Sequence, residues 1–133
     1  MTARNAYLAA LLLISALAAY GASPAANVKK LTAADAHSTV TLKVGDFLEV
    51  SLEGNPTTGY TWELAPGGGV LLAQQGETEF KPNTKAMGSG GTVTLRFKAI
   101  QEGKMKLKLV YHRTFEPNVP PAKSFVIEVV VGM

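Results

Sequence analysis

The chain has 133 residues, 13 basic against 10 acidic side chains, a formal net charge of +3 and no cysteine, which is the size of one domain with room for a tail. Without cysteine there are no disulfide staples, no thiol nucleophile and no thiolate metal site. The densest basic group, Lys104, Lys106 and Lys108, alternates with Met105, Leu107 and Leu109. Its charge therefore lies on the wet side of a strand, not in the contiguous, aromatic-laced stripe that nucleic acid requires.

The opening stretch MTARNAYLAALLLISALAAYGAS carries one cation, Arg4, no acid, and an apolar run from Ala6 to Ala19 followed by small residues. This predicts a secretory signal peptide over residues 1–22, with Ala19 and Gly21 spaced as a cleavage site requires. A membrane anchor needs about 20 apolar residues, more than this run supplies. The mature form is thus expected without membrane contact, and a lipid-anchored export signal would need a cysteine at the cleavage point. Export without disulfides fits a bacterial periplasm or culture fluid, and a eukaryotic extracellular space stays open. The mature part, roughly 110 residues, is long enough to bury a core unaided.

Residues 23–36 are small, polar and without period, which reads as a flexible leader. From residue 37 to 133 the period is two. Val40, Leu42 and Val44 alternate with polar neighbours, as do Leu48, Val50 and Leu52. Tyr60, Trp62 and Leu64 share one side, with Tyr60 and Trp62 expected in the core at the end of the sandwich. A weaker stretch before Phe80 reads as one or two short strands interrupted at Gly76. Then follow Val93, Leu95, Phe97 and Ala99; Met105, Leu107, Leu109 and Tyr111; and Phe125, Ile127, Val129 and Val131. This alternation defines an all-β protein with one buried face per strand. Seven or eight strands in roughly 95 residues point to an immunoglobulin-like antiparallel β-sandwich, with a small closed barrel as the competing architecture.

In an antiparallel chain successive connections fall at opposite ends. That puts residues 55–59, 81–91 and 112–123 at one end and the short turns 65–69 and 101–103 at the other. Long loops on a rigid scaffold are where binding surfaces are built. Pro56, Pro117, Pro120 and Pro121 restrict the backbone, and Gly88, Gly90 and Gly91 permit positive φ or close approach. Arg113 and Phe115 are residue types that anchor interfaces. Taken singly, each loop is an ordinary turn; together at one end they form a binding rim.

No catalytic set of the chain's own emerges. His37 and His112 are too few and too far apart for a metal site. A Ser89–His112 pair has only Glu116 nearby in sequence to orient the imidazole. The expectation is therefore a binding protein, not an enzyme, with no metal and no cofactor. An immunoglobulin-like adhesion or binding module is one such reading.

The segments NPTTGYTW (55–62), GSGG (88–91) and RTF (113–115), in this order and spacing, resemble the chagasin-type inhibitors of papain-like cysteine peptidases, inhibitor family I42. The resemblance spans residues 31–131. It implies a monomeric immunoglobulin-like domain whose three loops occlude a peptidase cleft, with a papain-like cysteine peptidase as partner. Thr57 and Thr58, carried by Asn55, Pro56, Gly59 and Tyr60, would cover the catalytic dyad. Gly88, Ser89, Gly90 and Gly91 would lie along one side of the cleft, and Arg113 and Phe115 along the other. One departure is plain: Thr114 stands where the family usually has proline, which bears on how stiff the third loop is.

Overall fold

The computed structural model describes residues 27–66 and 70–133. The expected signal peptide, the first part of the expected leader and the glycines of the 65–69 turn lie outside the described residues. Nine strands are present among the described residues: β1 (Val28–Thr32), β2 (Thr39–Lys43), β3 (Phe47–Gly54), β4 (Tyr60–Leu64), β5 (Leu72–Gln74), β6 (Glu79–Pro82), β7 (Gly91–Ala99), β8 (Gly103–Arg113) and β9 (Lys123–Gly132). One sheet has the order β1-β3-β7-β5, with β6 also paired to β7; the other has the order β2-β9-β8-β4.

The two sheets meet over the side chains that the period of two singles out. Leu48, Val50 and Leu52 of β3 and Val93, Leu95, Phe97 and Ala99 of β7 are buried from one side. Leu107, Leu109 and Tyr111 of β8 and Phe125, Ile127, Val129 and Val131 of β9 are buried from the other. Trp62 is buried, while Tyr60, Leu64 and Met105 pack at the margin of this core. Val44, read as the last inward residue of its strand, lies just past β2 and is exposed.

Two expectations need correction. Residues 28–35 are not a flexible leader: Val28–Thr32 form β1, paired along its length with β3, and Leu31 is buried. The sheets are not purely antiparallel either, since β1 with β3 and β2 with β9 are parallel pairs. The physical reason is shared. A short 3-10 turn, Ala33–Asp35, carries the chain from one sheet to the other, so β1 and β2 cannot pair as a hairpin. Each instead joins an edge, beside a strand running its own way. Asp35 secures the crossing by accepting the Thr32 amide at 2.8 Å. The additional β1, with β5 and β6 both formed around Gly76, raises the strand number from the expected seven or eight to nine.

The directions of the remaining pairs settle where the loops lie. β3 and β8 run one way and β4, β7 and β9 the other, and β6 is antiparallel to β7. The connections 55–59, 83–90 and 114–122 therefore share one end of the sandwich. On the outer face, Arg96 of β7 ties β6 down through Glu79 at 2.8 Å and reaches Glu49 of β3 at 3.5 Å. Strand β6 has no buried residue of its own, so this ion pair and the ladder to β7 hold it.

Candidate functional site

The first loop is a single 3-10 turn, Pro56–Thr58, capped at its start by Asn55 and closed by Gly59 at φ +83°. Each residue has a reason to be there. Proline fits the first helical position, where no amide partner is needed. Asparagine is a preferred N-cap, and its Oδ1 accepts the Thr57 amide at 3.2 Å and the Thr57 hydroxyl at 2.6 Å. The Thr58 hydroxyl donates to the Asn55 carbonyl at 2.7 Å. Both threonines are exposed, yet both hydroxyl protons turn back onto Asn55. The tip presents a fixed shape whose polar donors are already satisfied.

Asn55 also joins the loops. Its Nδ2 donates to the Gly88 carbonyl in the middle loop at 3.0 Å. Its backbone amide donates to the Tyr111 hydroxyl at 2.9 Å, which pins the turn to the core. Below Tyr111 runs a ladder of rings. Tyr60 stacks on Tyr111 at 5.2 Å between centroids, and Trp62 follows at 5.1 Å. Trp62 in turn donates its indole N–H to the Glu53 carbonyl at 2.9 Å, next to the end of β3.

Arg113 caps this ladder. Its guanidinium carbon lies 4.5 Å from the Tyr60 ring centroid and 5.9 Å from that of Phe115. Its Nε donates to the Thr58 carbonyl at 3.0 Å, and its Nη1 meets Glu116 at 3.2 Å. Phe115 itself is largely exposed, with its ring edge over Gly59. The third loop then makes two successive turns, Glu116 N–H to Arg113 C=O at 3.0 Å and Val119 N–H to Glu116 C=O at 3.2 Å. These bonds, with the Arg113–Glu116 pair, shape the segment in which Thr114 replaces the family's proline.

The expected site residues therefore divide. Thr57, Thr58, Gly88, Ser89 and Phe115 lie on the rim, while Asn55 and Arg113 work beneath it, tying loop to loop. Tyr60 is half-buried in the ring ladder. Gly91 is a buried residue of β7, and a β-carbon there would collide with the Lys81 carbonyl and the Cα of Pro82. It lets β6 close onto β7 and does not reach the rim. Sequence reasoning passed over Tyr111, read only as a strand residue, and Met87, which stands fully exposed beside Gly88. The signal for Met87 is an apolar side chain in a polar loop with no strand period to absorb it.

Nothing in the rim resembles a reaction centre. The Ser89 hydroxyl donates to the Thr84 carbonyl at 3.3 Å, and His112 pairs with Glu63 of the neighbouring strand at 3.0 Å, so Ser89 and His112 are engaged apart. Among the described residues no three His, Asp or Glu side chains gather to hold a metal.

The described residues thus form a two-sheet sandwich with three loops at one end, the first bonded to each of the other two segments. Comparison with known proteins gives the family. The family model described as "Chagasin family peptidase inhibitor I42" matches residues 41–129, and the chain belongs to that family: it is an inhibitor, not an enzyme. It is 30% identical to Chagasin of Trypanosoma cruzi over 104 residues, covering 74% of this chain and 93% of the relative. It is 33% identical to Amoebiasin-1 of Entamoeba histolytica over 91 residues, 66% of this chain and 85% of the relative. In three dimensions it is similar to the crystal structure of the cysteine protease inhibitor EhICP2 from Entamoeba histolytica. That match has a TM-score of 0.69 at 26% identity and covers 82% of this chain and 99% of that one.

Proposed function

We propose that this chain is an exported, reversible, monomeric inhibitor of papain-like cysteine peptidases that closes the active-site cleft with its three loops. The family supports inhibition, and the similarity to EhICP2, a cysteine protease inhibitor, supports the target class. The observation that carries the reading is the bonded rim: Asn55 ties the Thr57–Thr58 tip to the middle loop and to the Tyr111 hydroxyl, and Arg113, at the start of the third loop, bonds the Thr58 carbonyl.

The chemistry of the target explains the form of the tip. A papain-like site holds a thiolate–imidazolium pair at the bottom of a narrow groove that reads extended backbone. Cleavage requires a carbonyl carbon in near-attack geometry. A 3-10 turn ending in a left-handed glycine is not extended, and β-branched threonines are stiff at χ1. Thr57 and Thr58 fill the centre of the groove without offering a bond to cut. The middle loop, with Gly88, Ser89 and Met87, lies along one wall, and Phe115 along the other. Residues 1–22 direct export and are removed, leaving the mature protein in a periplasmic or extracellular space.

The test is steady-state inhibition of papain or a cathepsin L-like enzyme by the protein lacking residues 1–22. Nanomolar, reversible inhibition with the inhibitor recovered intact is expected. No inhibition at micromolar concentration overturns the reading and leaves the rim to a non-peptidase partner. Export is checked separately, by fractionating the source cells and sequencing the N-terminus of the recovered protein.

A further inference from the structure

Arg113 is the residue whose observed position departs furthest from an interface anchor. An anchor projects its head group toward the partner. Here the guanidinium is engaged within the molecule: its carbon is 4.5 Å from the Tyr60 ring centroid, its Nε donates to the Thr58 carbonyl and its Nη1 pairs with Glu116. The bond to Thr58 spans 55 residues of sequence, so it exists only because the third loop folds back against the first.

The partner atom gives this bond its meaning. A peptidase cuts by adding its thiolate to a carbonyl carbon while backbone and side-chain donors stabilise the oxygen as it becomes an anion. The carbonyl oxygen must therefore face the enzyme's oxyanion hole. At the tip, the Asn55 carbonyl accepts the Thr58 amide and hydroxyl, and the Pro56 carbonyl accepts the Gly59 amide. The Thr58 carbonyl, next to the left-handed Gly59, is the one whose restraint comes from outside the turn. Its oxygen is bonded to the inhibitor's own cation.

We infer that Arg113 is a positioning residue that keeps the inhibitor from becoming a substrate, by holding the Thr58 carbonyl oxygen away from the peptidase's oxyanion hole. The inference rests on the inhibitor reading above. Without the brace, the Thr58 carbonyl is free to turn toward the enzyme, and the Thr58–Gly59 bond becomes open to attack. The enzyme's thiolate adds to the Thr58 carbonyl carbon, the C–N bond breaks and the Gly59 nitrogen leaves with the imidazolium proton. Water then releases the Thr58 carboxylate and restores the thiolate. Glu116 shares the task by pairing with the guanidinium, and the Tyr60 ring packs against it. Arginine suits this role because a planar fork can stack and bond two partners together, which a lysine ammonium cannot.

The experiment incubates the wild-type protein, Arg113→Ala, Arg113→Lys and Glu116→Ala with papain and follows residual activity and intact mass over hours. Wild type is expected to inhibit stably. Arg113→Ala is expected to inhibit at first, with affinity lower by about 10- to 100-fold, the range a charge-assisted hydrogen bond commands. It then loses inhibition as a fragment ending at Thr58 accumulates. Arg113→Lys is expected to be cut at the same bond, and Glu116→Ala more slowly. An Arg113→Ala protein that stays uncut, or is cut elsewhere, overturns the inference, as does a lysine variant that is fully potent and intact, since a bare charge facing the enzyme would then be what matters. Should Arg113→Ala melt far below wild type, Arg113→Lys and Glu116→Ala decide by the same fragment. Failure of the wild type to inhibit sinks the inhibitor reading itself and is seen in the first arm.

Discussion

The side-chain amide of Asn55 bridges to the carbonyl of Gly88 at 3.0 Å, while its oxygen holds Thr57. One side chain thus uses its donor for the neighbouring loop and its acceptor for its own. These two tasks can be separated by substitution. Asn55→Asp keeps the N-cap acceptor but loses the donor and sets a carboxylate against a carbonyl. Asn55→Ala loses both. We expect the aspartate variant to melt near wild type but to inhibit more weakly, with faster amide exchange confined to residues 84–90. The alanine variant should also lose about 0.5–2 kcal/mol of stability, the usual cost of deleting an N-cap. Thermal melts and residue-resolved hydrogen exchange separate the two; identical behaviour would mean the bridge to Gly88 contributes nothing.

The threonine hydroxyls donate only within their own turn and are exposed. Hydrogen bonds of this kind contribute about 0.5–1.5 kcal/mol each where buried and less where water replaces them. Replacing both residues, Thr57→Ala with Thr58→Ala, is therefore expected to leave the melting temperature nearly unchanged. Inhibition should weaken severalfold or more, because the tip loses both bulk and stiffness. The check is paired: a melting curve and an inhibition constant from the same preparation. A large stability loss with affinity retained would assign these residues to the scaffold.

How much of this could be read from the sequence depends on the range of the forces involved. The strand faces were legible because alternation is local: Leu48, Val50 and Leu52 are buried as a set, and so are Phe125, Ile127, Val129 and Val131. The shared end of the three loops followed from strand parity, which needs only the order of elements. β1 was not legible. Its five residues bury only Leu31, and its parallel partner β3 lies beyond a whole further strand. Nor could spacing show that Arg113 is engaged within the molecule or that Gly91 is buried. Those facts come from a carbonyl 55 residues away and from the close passage of Lys81 and Pro82. The motif identified the participants; the tertiary contacts divided them into those that form the rim and those that hold it.

Gly59 is required twice over. Its φ of +83° is the left-handed region, where a side chain costs roughly 1–2 kcal/mol. A β-carbon there would also lie 3.0 and 3.2 Å from two carbons of the Phe115 ring. Gly59→Ala should thus disturb both the tip and the third loop. The expected result is a folded protein, destabilised by about 1–3 kcal/mol, whose affinity falls more than that of either loop altered alone. Gly59→Ala combined with Phe115→Ala relieves the contact and not the dihedral strain. The double variant should regain part of the stability and none of the affinity. A chemical denaturation series beside inhibition constants measures both quantities.

The Arg96–Glu79 pair is expected to make the middle loop sensitive to acid. The hydrogen bond from Arg96, and then its positive charge, hold the Glu79 carboxyl below its ordinary value. A carboxylate whose folded value is lowered stabilises the folded state above its unfolded value, about 4.3, and loses that contribution as pH falls through the lower folded value. The sign is therefore loss on acidification. The residues that loosen are those of β6, which has no buried side chain and leads directly into residues 83–90. Glu79→Gln removes the titration while keeping a hydrogen-bond acceptor. It should inhibit slightly less well than wild type at neutral pH and show a flatter dependence of melting temperature on pH as pH falls below the ordinary carboxylate value, about 4.3. Both differences should shrink in high salt, because the pair is exposed and screened. Parallel pH profiles of wild type and variant would count against the pair as the source of acid sensitivity, and would leave the β6–β7 backbone ladder alone to position the middle loop.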